Sequence, residues 1–375
     1  MENSIDRSKM VYRYLGNTGL KVSLFSFGTM LTEYTEDSIK TWTECADHAY
    51  KNGINFFDSS EAYGFGEGDK MLGNAIKQLN WRREDIVVSV KVYFGGKVNT
   101  LGLSRKKIIE STKKCLKNMD LDYCDIVFAH RDDPETPLEE TCRAFNWLIN
   151  KGYALYWATS TWPEETIVDA IRICDKNGWH RPIADQCEYS CLTRQYVEDK
   201  YRRLFEKFGY GTTIWSPLSG GFLTGKYNDG VAPEGSRYDK SEAFKAIAWD
   251  RFFGEKTKDK TISILKGLKE LADEKNVTQA QLALAWTLVN KDVSSCIIGA
   301  SRLSQLESNL KALEIAAGWT SEFEEKINKV LGNDAAPLMN WLHFAPFPSR
   351  RGAVLDTDME LGKIQYRDPD FTAKE

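Results

Sequence analysis

Asp58, Tyr63, Lys91 and His130 are residues whose types could cooperate in one reaction, the protonation of an oxyanion as it develops. A tyrosine hydroxyl is a weak acid, with an unperturbed pKa of about 10. A cation close enough to favour the phenolate makes it a usable proton donor near neutral pH. Lys91 would supply that cation, Asp58 would keep it charged and oriented, and His130 would hold a carbonyl oxygen by a hydrogen bond. The set offers no good attacking nucleophile, so a carbonyl turning into an alkoxide is the chemistry it fits. Singly, each residue has a plainer reading. Asp58 before Ser59-Ser60-Glu61 suits a helix cap, Tyr63 a loop aromatic, Lys91 a solvated strand end and His130 a hydrogen-bonded buried histidine. Lys91 alone would also suit Schiff-base chemistry, but Tyr63 and Asp58 would then have no evident task. The joint reading rests on where the residues stand.

The elements that must position them are legible as short apolar runs. Residues 54–57 lead into Asp58, 86–90 into Lys91 and 126–129 into His130, with Tyr63 five residues beyond Asp58. Such β-branched and aromatic runs read as parallel strands buried on both faces. A charge cannot stay unpaired in that interior, so it belongs where the strand emerges. Residues 22–27 run into Gly28 and Thr29, and runs 154–159, 182–185, 211–214 and 293–298 end at Ser160, Gln186, Trp215 and Gly299. These ends stand 26 to 39 residues apart, except for a last gap of 84, and the shorter spacing suits one strand–helix unit. Ile39, Trp42, Ala46 and Ala49 mark one helical face, and Leu72, Ala75, Ile76 and Leu79 another. Thr278-x-x-Gln281 is a capping box, and Gly53 and Gly178 are placed to end helices. Eight alternating units suit a (β/α)8 TIM barrel, whose active site lies at the C-terminal rim of its strands, or a doubly wound open sheet. Residues 227–260 interrupt the rhythm as a long insertion after strand seven, the usual place for a lid or cofactor clasp.

Composition narrows the function classes. The 50 basic and 54 acidic residues leave a net charge of −4, which speaks against a nucleic-acid surface. No apolar run approaches the roughly 20 residues of a membrane span, and the polar first nine residues lack a signal-peptide core. Eight cysteines without a CxxC read as reduced, mostly buried thiols, and the expected location is cytoplasmic. Four histidines far apart in sequence make a histidine metal site unpromising, and no metal is expected. Gly220-x4-Gly225-Lys226 matches the spacing of a nucleotide-hydrolase loop, but Tyr227 occupies the required Ser/Thr position.

The run Phe57-Asp58-Ser59-Ser60-Glu61-Ala62-Tyr63-Gly64, with strand-end Lys91 and His130, resembles the aldo-keto reductases. Tyr14-Leu15-Gly16-Asn17-Thr18-Gly19-Leu20-Lys21, Phe128-Ala129-His130-Arg131-Asp132-Asp133-Pro134, Trp215-Ser216-Pro217-Leu218 and Ile298-Gly299-Ala300-Ser301 are most similar to the branch containing voltage-gated potassium channel β subunits. The resemblance implies a barrel over residues 11–332 with a hairpin floor near residues 12–22, between a tail at 1–10 and a C-terminal extension at 333–375. It implies NADPH/NADP+ as cofactor and hydride transfer to an aldehyde or ketone, with Tyr63 as proton donor and Asp58, Lys91 and His130 beside it. The alternative it implies is an NADPH-binding channel subunit, a homotetramer docked on a cation channel without inserting into the membrane itself. Thr29, Met30, Asp58, Ser160, Gln186 and Trp215 would meet the nicotinamide end. Ser216, Leu218, Ser219, Lys226 and Arg237 would meet the pyrophosphate, and Gly299, Ser301, Gln305 and Asn309 the adenosine 2′-phosphate and adenine. Arg302 adds a cation that favours NADPH over NADH. His130 stands where channel subunits carry asparagine, which tilts the reading towards turnover, whereas Thr161 replaces that branch's arginine. Met30, Tyr34, Tyr93, Arg131 and Trp162 suggest an aromatic-lined, partly polar substrate opening.

Overall fold

The computed structural model describes residue 8 and residues 10–240 and 242–333, apart from the side chains of Arg237, Ala243 and Ile247. Eight parallel strands close on themselves: β3 (Phe25–Gly28), β4 (Phe56–Asp58), β5 (Val87–Val92), β6 (Cys124–Ala129), β7 (Ala154–Thr159), β8 (Ala184–Glu188), β9 (Gly211–Trp215) and β10 (Ser295–Ile298). Closure through the β10–β3 pair, with Cys296 opposite Phe25, decides for the barrel over the open sheet. Outside it, α1 (Glu36–Lys51), α2 (Glu67–Gln78), α3 (Arg105–Met119), α4 (Leu138–Asn150) and α5 (Glu164–Asn177) fill the intervals between strands β3 and β8. Helix α1 shows why these segments wind as they do. Thr35 and Ser38 close a capping box at its start, Trp42, Cys45, Ala46 and Ala49 face inward, and Gly53 follows the end at φ +86°. The box at Thr278 and Gln281 forms likewise.

Strand boundaries differ in places from the sequence reading. The run 22–27 breaks at Leu24, so Val22 belongs to a separate strand. That strand, β2 (Lys21–Ser23), pairs antiparallel with β1 (Tyr12–Tyr14) as the hairpin floor. Lys91 sits inside β5, and Gln186 lies in mid-β8 rather than beyond its end. Both are tolerated because a barrel strand has one face turned into the lumen, where polar groups can find partners.

The lumen is graded. Phe56, Val87, Ile126, Phe128, Ala158 and Ala184 form an apolar cluster with Leu15 and Val22 of the hairpin. Two residues further along their strands, on the same face, stand Asp58, Ser89, His130, Ser160 and Gln186. The floor is thus hydrocarbon and the opposite rim polar. Arg13 fastens the hairpin by donating to the carbonyls of Leu288 (2.8 Å) and Asn290 (2.6 Å), at the end of helix Gln279–Val289.

The insertion is less polar in its packing than in its composition. Tyr227, Tyr238, Trp249, Phe252 and Phe253 gather around Phe222, with Tyr238 stacked on it at 4.5 Å. The eight cysteines are buried and unpaired, and among the described residues no helix is long and apolar enough to cross a membrane. Trp341, Phe344 and Phe347, the aromatic residues by which the C-terminal extension could dock on the barrel, lie outside the described residues.

Gly16 makes the floor testable. Its backbone is left-handed (φ +58°), and a Cβ there would lie 2.5 Å from the Ile183 carbonyl and 2.7 Å from the Gly211 amide. Gly16→Ala should therefore lower unfolding stability by about 2 kcal/mol or more. Urea denaturation would measure it, and an unchanged midpoint would contradict the close docking.

Candidate active site

The site begins with Lys91, which has none of its surface exposed, and Asp58, which is 2% exposed. Nζ of Lys91 lies 2.5 Å from Oδ2 of Asp58 and donates to the Ser59 carbonyl at 2.9 Å. Asp58 also accepts from Ser89 Oγ at 2.7 Å and Gln186 Nε2 at 3.1 Å. Three barrel side chains therefore converge on one carboxylate. Burial pulls the Lys91 ammonium below its ordinary range, while the Asp58 charge pulls back.

Tyr63 opens the turn Tyr63–Gly66, and Lys91 Nζ lies 5.0 Å from its ring centroid. Gly68 lets the turn come this close, because a Cβ there would stand 3.1 Å from Tyr63 Cβ and 2.9 Å from Thr29 Oγ1. The expected acidification of Tyr63 by Lys91 is not what the geometry gives. Burial and then Asp58 push the phenol above its ordinary pKa, and Arg131 is the cation that opposes them. The reason is compensation: Asp58 sits so close to Lys91 that the ammonium's field at Tyr63 is largely cancelled. Tyr63 thus holds its proton firmly across neutral pH.

His130 follows β6 immediately, buried, with Nδ1 3.2 Å from Ser60 Oγ. Burial, then the positive charges of Lys91 and Arg131, lower its pKa to about 2. The imidazole is neutral and presents one donor and one acceptor. Rings of Tyr63 and Phe94 both meet it edge-on, at 6.4 and 4.9 Å.

The remaining expected residues fall into separate groups. Ser160 donates to the Gln186 carbonyl at 2.8 Å, and Trp215 reaches Thr161 Oγ1 at 3.3 Å, so these border the tetrad. Thr29 is fully buried, its hydroxyl committed to Ser59, which in turn donates to Asp69. Met30 is 51% exposed on the same rim segment. After β9 the chain turns left-handed at Ser216 (φ +53°), Ser219 (φ +47°), Gly220 (φ +66°), Gly221 (φ +109°) and Gly225 (φ +89°), with Leu218 between and Lys226 exposed beyond. Arg237 starts the helix Arg237–Lys240, and its side chain lies outside the described set. Gly299 follows β10 with open space beside it. Ser301 bonds Gln305 through both its amide (2.9 Å) and hydroxyl (3.0 Å), and Asn309 is buried one turn further on. Among the described residues, Lys226, Ser301, Gln305 and Asn309 share no hydrogen bond with the tetrad.

Trp162 does not line the opening. It has no exposed surface, and its carbonyl accepts from Tyr201 at 2.6 Å. Asp185 holds the adjacent loop, accepting from Thr159 Oγ1 (2.7 Å) and the Thr161 amide (2.9 Å), while burial raises its pKa to about 6. The sequence reading also missed Glu61 and Lys107, a pair at 2.7 Å that anchors the Tyr93 amide (2.6 Å) and the Phe94 carbonyl (3.1 Å). Forty-six residues separate them, and no local pattern announces the contact. Ser89 did leave a signal, since it precedes Lys91 by two and shares its strand face.

With this geometry in hand, comparison with known proteins becomes informative. The profile of the aldo/keto reductase family matches residues 25–330. A relative named "Probable voltage-gated potassium channel subunit beta" from Arabidopsis thaliana is 42% identical over 323 residues, 86% of this chain and 97% of its own. A rice protein (Oryza sativa subsp. japonica) of the same name is 40% identical over 86% of this chain and 97% of its own. A "Putative voltage-gated potassium channel subunit beta" from Schizosaccharomyces pombe is 43% identical over 85% of this chain and 93% of its own.

Glu61→Gln should cost about 3–5 kcal/mol, because Lys107 would be left buried without a counter-charge. Denaturant melts would read it, and a loss below 1 kcal/mol would mean that Lys107 finds water instead. His130 predicts a pH effect. Its folded pKa lies below its unfolded value near 6.5, so the unfolded state binds the extra proton and stability falls as pH drops below about 6.5. Relative to His130→Asn, the wild-type protein should lose up to about 1.4 kcal/mol more per pH unit in that window. Parallel slopes in thermal melts from pH 7 to pH 5 would count against a neutral buried imidazole.

Proposed function

The chain belongs to the aldo/keto reductase family, and from that premise we propose that it is an NADPH-dependent reductase of aldehydes or ketones. The observation that carries the reading is the buried Asp58–Lys91 pair beneath the Tyr63 ring, with neutral His130 on the same rim. A fully desolvated ammonium beside a protonated phenol and an imidazole is an arrangement that structure alone does not require.

The residues present fit NADPH. The left-handed turns at Ser216, Ser219, Gly220, Gly221 and Gly225 would leave backbone donors for a pyrophosphate, with Lys226 exposed beyond as a counter-charge and Arg237 expected beside it. Trp215 would face the nicotinamide ring, Ser160 and Gln186 its carboxamide, and Thr29 and Met30 its near edge. Gly299, Ser301, Gln305 and Asn309 would hold the adenosine end, with Arg302 next to the 2′-phosphate. The chemistry such a cofactor supplies is a hydride, two electrons with one hydrogen for the carbonyl carbon, leaving NADP+.

The chain's own residues would do the rest. If Nδ1 accepts from Ser60, His130 carries its proton on Nε2 and would offer it to the carbonyl oxygen, fixing its position. As charge grows on that oxygen, its basicity passes that of the phenolate, and Tyr63 gives up a proton it has held until then. The phenolate left behind regains a proton from solvent. Asp58 keeps Lys91 in place throughout. A second reading draws on the names of the relatives: this chain would also dock on a voltage-gated potassium channel, as the homotetramer that the family resemblance implies.

Tyr63→Phe tests the main reading. NADPH oxidation with benzaldehyde should drop by about 10²- to 10⁴-fold, while NADPH binding, followed by cofactor fluorescence, stays within about twofold, the size of effect expected where no bond is lost. Full turnover in the variant would sink it. Tight NADPH binding without turnover by the wild-type protein, together with a tetramer that co-purifies with a potassium channel, would favour the second reading.

A further inference from the structure

Arg131 projects a half-buried guanidinium at the mouth of the site, where the reductase reading leaves the substrate's own shape unassigned. One of its nitrogens donates to the His130 carbonyl and, at 3.3 Å, to Ser160 Oγ. Its guanidinium carbon lies 5.9 Å from the centre of the Phe94 ring, which in turn meets His130 edge-on at 4.9 Å. Arg131 is close enough to Tyr63 to influence its acidity.

Three carboxylates of this rim are engaged elsewhere. Asp58 is taken by Lys91, Ser89 and Gln186. Asp133 accepts from the Leu103 amide (2.6 Å), Thr136 Oγ1 (2.7 Å) and the Glu135 amide (3.1 Å). Asp185 is filled by Thr159, Thr161 and Trp162. Among the described residues Arg131 forms no ion pair, whereas the other cations at this rim, Lys91 and Lys107, each have a carboxylate within 2.7 Å. A guanidinium is costly to desolvate without an anion and matches a carboxylate with two parallel donors.

We propose that Arg131 and the 40%-exposed ring of Phe94 form a specificity subsite for the carboxylate and aryl body of an aromatic oxo acid. The carbonyl would sit at Tyr63 and His130, the aryl ring against Phe94, and the carboxylate on the free edge of Arg131. This deepens the reductase reading and rests on it. Arg131 recognises the substrate here and takes no proton in the reaction.

The test uses a matched pair, 4-carboxybenzaldehyde and its neutral methyl ester, with NADPH and the full chain. The acid should be preferred in kcat/KM by roughly 10- to 100-fold, the worth of a charge-assisted pair. Arg131→Met should remove that preference mainly through KM, lowering kcat/KM for the acid at least about tenfold more than for the ester, and keep the wild-type melting curve. Arg131→Lys should restore part of it. Calorimetric titration of benzoate against benzamide gives a readout independent of turnover, with benzoate alone bound and its binding lost in Arg131→Met. Equal use of acid and ester, or an equal loss of both in Arg131→Met, overturns the subsite. If neither aldehyde is reduced while benzoate still binds through Arg131, the reductase reading fails and the anion subsite stands.

Discussion

An ammonium with no exposed surface is the constraint around which this barrel rim is built. Removing a charged lysine from water costs several kcal/mol even after relaxation, and Lys91 is tolerable only because Asp58 lies 2.5 Å away and the Ser59 carbonyl takes another of its protons. Asp58 needs its remaining lone pairs filled as well, and Ser89 and Gln186 do so from the strands on either side of the lumen. Such a pair adds little net stability over hydrocarbon of the same volume. Its place at the mouth of a barrel is therefore a mark of chemistry more than of folding. The same closeness mutes the ammonium towards Tyr63, so the phenol remains a firmly protonated donor.

The gradient along the lumen is what allows the pair to exist there. Phe56, Val87, Ile126 and Phe128 pack on Leu15 and Val22 at the closed end, so the pair is backed from below by hydrocarbon. Two residues later on the same strand faces the side chains become Asp58, Ser89 and His130. Strand periodicity turns a short step in sequence into a change of medium. The loops are then tied down from outside the lumen: Glu61–Lys107 holds the Tyr93–Phe94 segment, and Asp185 holds Thr161 in its left-handed conformation (φ +57°). Each of these ties positions a rim segment without touching the Asp58–Lys91 pair.

Much of the fold could be read from the chain because its signals are local. Apolar runs of strand length, the capping boxes at Thr35 and Thr278, and glycines just past helix ends depend on neighbours a few residues away. Boundaries drifted where that logic fails, as at Leu24, where hairpin and barrel strands follow one another without a polar break, and at Gln186, a polar residue kept inside β8 by its bond to Asp58. Trp162 looked like a pocket wall because it follows Ser160, yet the turn at Thr161 sends it into the core. The insertion looked polar because its aromatic residues are widely spaced, and only folding gathers them on Phe222.

The sequence by itself determined which residues could do chemistry and that eight alternating units carry them to strand ends. These depend on residue type and on short-range periodicity, and both are printed in the chain. Tertiary structure alone decided that the sheet closes and that Lys91 spends its charge on Asp58 before Tyr63. It also decided that His130 is neutral and that Arg131 remains without a carboxylate among the described residues. Those outcomes turn on distances between strands and on the removal of water. Neither quantity is defined until the barrel has formed.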